Sequence, residues 1–182
     1  MTEGNALDAA KVLGLFKELS DRLAEGGVAA QLFVVGGAAM ALAYDGGRLT
    51  RDVDALFVPV PEVRRIVEEM SVDHGLEPDW LNDAAKGFLP GNDDDARVIF
   101  ESGSLLVQVP SPGYLLAMKL HASRDDRDLD DAAVLFNALG YRTAQDCIDL
   151  LTRTYPISQL LPRHRYLAEE VVLRAKNRRK KT

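Results

Sequence analysis

The chain has 182 residues, 47% hydrophobic and 27% charged, values that fit one globular domain, or a domain with an appendage, and exclude wholesale disorder. Its single cysteine, Cys147, excludes an internal disulfide and a cysteine-based zinc cluster, no apolar run approaches the roughly 20 residues of a membrane helix, and the first residues lack the basic-then-apolar order of a signal peptide; the expectation is a cytoplasmic protein with no membrane partner. The 22 basic and 28 acidic residues give a net charge of −6, but six of the basic ones fall in the last ten positions, leaving 16 against 28, or −12, in the rest. Such a body repels a polyanion unless metal ions or local basic groups intervene, whereas the tail attracts one.

In chain order, Val12, Phe16, Leu19 and Leu23 recur at three- and four-residue spacing and predict a helix over 6–25, capped by Asn5 or Asp8 and ended by Gly26 and Gly27. Residues 31–35 are a short apolar run of strand formers, expected as a buried strand. Gly36 and Gly37 interrupt it, and 38–44 read as a short helix of small residues. Residues 52–58 predict a second strand, and Pro61 starts a helix through Met70. After an irregular stretch over 71–95, residues 97–100 and 105–109 flank a polar turn and predict a hairpin. Pro110 and Pro112 stop the strand and open a helix over 113–123. Further helices are expected at about 128–138, 143–153 and 162–177. The pattern is α/β (α+β): a mixed sheet flanked by helices, with helices alone in the last third. It divides into a core over 1–125 and a helical C-terminal region with a basic tail over 126–182, the two forming one compact unit.

Residues 35–54 concentrate chemistry. Two glycines at a strand-to-helix junction let backbone approach a ligand closely, and the helix N-terminus offers free N–H groups to a phosphate. Asp52 and Asp54 are two apart at the start of a strand, so both carboxylates project from one face. Carboxylates that close repel each other unless a cation lies between them, and Mg²⁺ (or Mn²⁺) suits hard oxygen ligands and bridges to substrate phosphates. Arg48 and Thr50, just upstream, are placed to orient the aspartates or to touch a phosphate. The bland alternative is a turn followed by a solvated strand end.

This order of a Gly-Gly junction, a short helix and Arg48-x-Thr50-x-Asp52-x-Asp54 resembles the signature of minimal nucleotidyltransferases with the DNA polymerase beta-like core. The likeness is greatest to AbiEii-like and MenT-type toxins of type IV toxin–antitoxin systems. The resemblance implies NTP (ATP or another) held at Gly36 and Gly37, Mg²⁺ on Asp52 and Asp54, and transfer of a nucleoside monophosphate to an acceptor. In the MenT-type members that acceptor is the 3′ end of tRNA. It also implies a neutralising antitoxin partner.

A second charged segment follows. Lys119 lies in a helix that is otherwise apolar nearly all round, where a lysine either snorkels to the surface or does electrostatic work. Arg127, Asp128 and Asp131 make a charged patch with both aspartates on one helical face. AbiEii-like proteins carry a Lys-Leu-x-Ala segment followed by Arg-Asp-x-x-Asp, matched here from Lys119 to Ala122 and from Arg127 to Asp131. The resemblance implies that Lys119 binds NTP phosphates as a point charge and that Asp128 is an active-site carboxylate, acting as base or orienting Lys119. One departure is Gln108, which stands where many relatives place a third metal carboxylate. The tail residues Lys176, Arg178, Arg179, Lys180 and Lys181 are candidates for an RNA backbone, against the plainer reading of cations at a helix C-terminus. A protein side chain or a small molecule as acceptor, and a catalytically silent binding fold, are the other readings.

Overall fold

The computed structural model describes residues 6–123 and 125–180. Two sequence expectations, Asn5 as a cap and Lys181 in the tail, lie outside them, as does Arg124. The chain divides into two compact units, residues 1–87 with 95–110 and residues 88–94 with 111–182.

The first unit is a mixed sheet with helices. Helix α1 (Ala9–Glu25) is capped by Asp8, whose carboxylate accepts the Lys11 N–H at 2.8 Å. Strand β1 (Ala30–Val34), helix α2 (Gly36–Ala43) and strand β2 (Val53–Val58) follow, then α3 (Val60–His74), β3 (Leu81–Asn82), β4 (Arg97–Glu101) and β5 (Leu105–Val109). The five strands run β3-β2-β1-β5-β4. β1 pairs antiparallel with β2 and parallel with β5, β3 is parallel to β2, and β4 is antiparallel to β5.

Period-two patterning sets the faces of this sheet. Leu32, Val34, Val53, Ala55, Leu105, Val107 and Val109 are buried on one face. The apolar sides of α1 (Phe16, Leu19) and α3 (Ile66, Met70) are buried too, and these two helices contact each other and the sheet. A fully buried phenylalanine such as Phe16 contributes about 1.5–3 kcal/mol by burial alone. The opposite face carries Asp54, Leu56, Phe33 and Gln108, all half-buried. Three serines tie α1 to the β4–β5 turn: Ser20 Oγ lies 2.7 Å from Ser102 Oγ and 2.9 Å from Ser104 Oγ, and Ser104 Oγ donates to the Ser20 carbonyl at 2.7 Å. α3 runs one turn past the expected end at Met70, because Ser71 is buried and the chain breaks at Gly75, which caps it in the left-handed conformation at φ +61°.

The second unit is helical: α4 (Pro112–Ala122), α5 (Asp126–Ala138), α6 (Ala144–Thr154) and α7 (Arg163–Arg179). Residues 115–120 of α4 are buried without a break, and α4 packs against α5, α6 and α7. An all-round apolar helix needs neighbours on every side, which is why α4 belongs to this unit. The 88–94 segment is fastened to the same unit. The Asp93 carboxylate accepts from Ser111 N and Oγ at 2.6 and 3.0 Å, and the Tyr114 hydroxyl donates to the Gly91 carbonyl at 2.7 Å. Arg174 on α7 binds Asp126 and Asp130 of α5 and Glu170 of its own helix at 2.7–3.0 Å, which raises its pKa.

Candidate active site

The Gly-Gly junction forms the first turn of α2. Gly36 adopts φ +64°, a left-handed conformation that costs a residue with a Cβ roughly 1–2 kcal/mol. Its environment is as restrictive as its backbone: a Cβ there would lie 3.1 Å from Asp54 Oδ2, and one on Gly37 would lie 3.0 Å from Thr50 Oγ1 and 3.6 Å from an Arg48 guanidinium nitrogen. The structure therefore brings Gly36, Gly37, Arg48, Thr50 and Asp54 together. The N-cap residue Val35 supplies no side-chain cap to α2, and the small buried residues Ala38, Ala39 and Ala41 let this helix sit close to its neighbours.

The sheet fixes Asp54. Its carbonyl accepts the Val35 N–H at 2.8 Å, and it pairs in register with Asn82 of β3. Thr50 is held on both sides. Its backbone exchanges hydrogen bonds with Leu7 at 2.8 and 3.0 Å, and its hydroxyl donates to the Asp52 carbonyl at 2.9 Å. Arg48 donates to the Leu49 carbonyl. Asp52 stands one residue ahead of β2, so its position is set by the Thr50 bond and the bend, and strand alternation begins only at Val53. Asp52 is exposed as a whole residue, but protein around its carboxyl removes water from it. With the Asp79 carboxylate, this raises its pKa.

Asp79 was not visible as a neighbour of Asp52 in the sequence. It lies in the irregular stretch before β3 and arrives through the β2–β3 pairing, where Val53 N–H donates to the Trp80 carbonyl at 2.6 Å. Leu7 was equally hidden, because a single bridge carries no periodic signal. Gln108 stands half-buried opposite Phe33, on the face that carries Asp54. Among the described residues no three His, Cys, Asp or Glu side chains form a group that could hold a metal. Asp52 and Asp54 nevertheless fit Mg²⁺ by donor type. The ion takes one or two carboxylates and completes its shell with water and substrate phosphate oxygens. The glycine cradle leaves open, beside the Asp54 carboxylate, the space that a Cβ would occupy.

In the second unit Lys119 is 8% exposed, so it does not snorkel to the surface. Its Nζ donates to Asp128 Oδ1 at 2.7 Å and to Asp131 Oδ2 at 2.8 Å. Asp131 is the more deeply buried of the two carboxylates. The i, i+3 spacing on α5 presents both to one ammonium. Asp125, the N-cap of α5, accepts the Asp128 N–H at 3.1 Å and fixes where that helix starts. Asp128 and Asp131 thus both hold the Lys119 ammonium in the structure.

In the tail, Lys176, Arg178, Arg179 and Lys180 are exposed. Arg179 has a structural role as well. It donates to the Tyr141 carbonyl at 2.8 Å and lies 6.0 Å from the Phe136 ring centroid. Cys147 is buried and its pKa is pushed up to about 12, so it is a neutral thiol at ordinary pH. No helix among the described residues is long and apolar enough to cross a membrane.

A family model described as "Nucleotidyltransferase of unknown function (DUF6036)" matches residues 10–152. The chain belongs to this family. The DUF6036 match spans the glycine turn, Arg48 to Asp54, and the Lys119, Asp128 and Asp131 cluster, and it ends before α7 and the basic tail. The mixed five-stranded sheet with flanking helices fits a DUF6036 nucleotidyltransferase fold. No curated protein and no solved structure matches the chain.

Proposed function

We propose that this DUF6036 protein transfers a nucleoside monophosphate from an NTP to the 3′ end of an RNA, tRNA in the first instance, as a toxin of a toxin–antitoxin pair acting in the cytoplasm. The observation that carries the nucleotidyl-transfer part is the glycine turn seated on Asp54 and Thr50. Backbone N–H groups at a helix start and a carboxylate beside them offer opposite chemistry to the two parts of a metal–phosphate substrate. Gly36 and Gly37 hold phosphate oxygens by backbone N–H groups. Arg48 adds positive charge at Gly37, and Thr50 keeps Asp52 in place. Asp52 and Asp54 would hold Mg²⁺, which when bound neutralises phosphate charge and assists an acceptor hydroxyl. The load on the protein is positioning and electrostatics, as in phosphoryl transfer generally. The RNA part rests on the likeness to MenT-type toxins and on the exposed cations of α7, and the antitoxin on that likeness alone.

The decisive experiment incubates the protein with Mg²⁺, each labelled NTP in turn, and total RNA or bulk protein. Label in RNA that disappears in Asp54→Asn supports the reading and names the nucleotide. Label in protein moves the acceptor to a side chain. A second reading, a silent binding fold, is favoured by Gln108 on the sheet face where a third carboxylate was expected. NTP binding without transfer to RNA, protein or any small-molecule acceptor would support it.

A further inference from the structure

Helix α7 buries Ala168, Val171, Val172 and Ala175 along one side. The opposite side is exposed and mixes two chemistries. Tyr166 is 71% and Leu173 is 56% exposed. Tyr166, Leu173 and the C-cap residue Lys180 are spaced seven apart, as are Glu169 and Lys176, so these residues share one stripe of the helix. Glu169 is the one carboxylate on the stripe, and Arg165 pairs with it at 3.6 Å. Glu170, beside it, is held by Arg174 at 2.8 Å. Lys176 and Lys180 take part in no ion pair among the described residues. An aromatic ring and a leucine left in water ahead of two unpaired cations suit a partner that offers flat apolar faces and negative charge together. A single-stranded nucleic acid does so, through its bases and its phosphates. A duplex keeps its base faces stacked inside, and a membrane surface calls for a continuous apolar face, which Glu169 interrupts between Tyr166 and Leu173.

We propose that this stripe of α7 binds an unpaired stretch of RNA, with a base stacked on the Tyr166 ring and phosphates at Lys176 and Lys180. The two lysines are about 6 Å apart along the axis, and Tyr166 lies about 15 Å before Lys176. The strand therefore runs along the helix, and Leu173 offers its bases a second apolar surface on the way. Stacking on an aromatic side chain tolerates any base, because every base has a π face. The stripe supplies grip on the strand and leaves the choice of sequence to other groups. The proposal rests on RNA as the acceptor in the reaction proposed above, and it gives α7 no part in the chemistry.

The test is fluorescence anisotropy of the full chain, without NTP, with labelled oligoadenylate either single-stranded or annealed to oligouridylate. The native chain is expected to bind the single strand more tightly than the duplex. Tyr166→Ala removes the ring and is expected to weaken the single-strand complex at least about fivefold. It should leave the salt dependence unchanged, because the ring carries no charge, whereas Lys176→Gln should lower it. Tyr166→Phe keeps the ring and is expected to bind like the native chain. Circular dichroism confirms that each variant is folded. Equal binding by Tyr166→Ala and the native chain overturns the proposal. So does tighter binding of the duplex, or capture of the native chain by anionic lipid vesicles with no binding of the single strand. Because binding is read without NTP, a native chain that binds the strand but transfers no nucleotide sinks the catalytic reading and leaves this surface standing. Transfer to RNA by a chain whose Tyr166→Ala variant binds normally sinks the surface alone.

Discussion

At Gly37 a methyl group would lie 3.0 Å from Thr50 Oγ1, and at Gly36 it would lie 3.1 Å from Asp54 Oδ2 on a backbone already at φ +64°. Gly37→Ala is expected to cost about 1–3 kcal/mol by overpacking. Adding Thr50→Ala should return most of that stability, since the next Thr50 atom stands at 3.5 Å. Denaturant midpoints test this, and nucleotidyl transfer should stay low in both variants. Asp52 behaves differently. Its folded-state pKa is raised, so the folded chain binds more protons than the unfolded one just above the ordinary aspartate pKa. Its contribution is therefore greatest at acid pH and falls as pH rises through the raised value. Asp52→Asn is expected to raise the melting midpoint at neutral pH without divalent cation and, with Asp52 as a proposed Mg²⁺ ligand, to reduce the upward shift expected of the native chain on adding Mg²⁺. The grouping of Gly36 and Gly37 with Thr50 and Asp54 was legible as a candidate because Gly-Gly and Asp-x-Asp are local patterns. Asp79 and Leu7 were not, because only strand pairing brings them to Asp52 and Thr50.

Among the elements, α4 and α5 are joined through the ion triad of Lys119, Asp128 and Asp131. Lys119→Met removes the cation and leaves two carboxylates in a poorly solvated place, one of them only 3% exposed. Breaking such a group on one side typically costs about 3–5 kcal/mol. A triple variant that also carries Asp128→Asn and Asp131→Asn should recover a large part of the loss in urea denaturation, because no unpaired charge remains. The helices and the other four strands were legible to within about a turn, since their periodicity and their Pro and Gly boundaries agree, whereas β3 was not, being two residues long within a stretch that reads as irregular. α4 shows where local reading stops. Its all-round apolar surface announced a buried helix, but the neighbours that bury it come later in the chain. Lys119 likewise left two readings open until its carboxylate partners were seen in place.

For the molecule as a whole, charge is the property that the sequence exposed most directly. The tail carries cations of two kinds. Arg179 is tied to Tyr141 and the Phe136 ring, while Lys176 on α7 and Lys180, its C-cap, are exposed. If α7 engages an RNA backbone, Lys176→Gln and Lys180→Gln should each lower the slope of log affinity against log salt by about 0.7–0.9 per lost phosphate contact. Arg179→Ala should show its effect in thermal stability as well. The division after Pro110 was not legible, because no linker composition marks it and the 88–94 segment joins the helical unit through Asp93, Gly91 and Phe88.

Leu7 and Thr50 exchange both backbone hydrogen bonds, with Leu7 fully buried. Leu7, ahead of α1, is therefore a mechanical handle on the loop that carries Thr50 and Asp52. An affinity tag or a trimmed start that pulls Leu7 out of register would loosen Thr50, and through it Asp52, without touching either residue. A preparation cut back to Ala9 is expected to lose turnover while keeping the helical signature of the second unit, so comparing activity with circular dichroism in the two preparations reads the linkage directly.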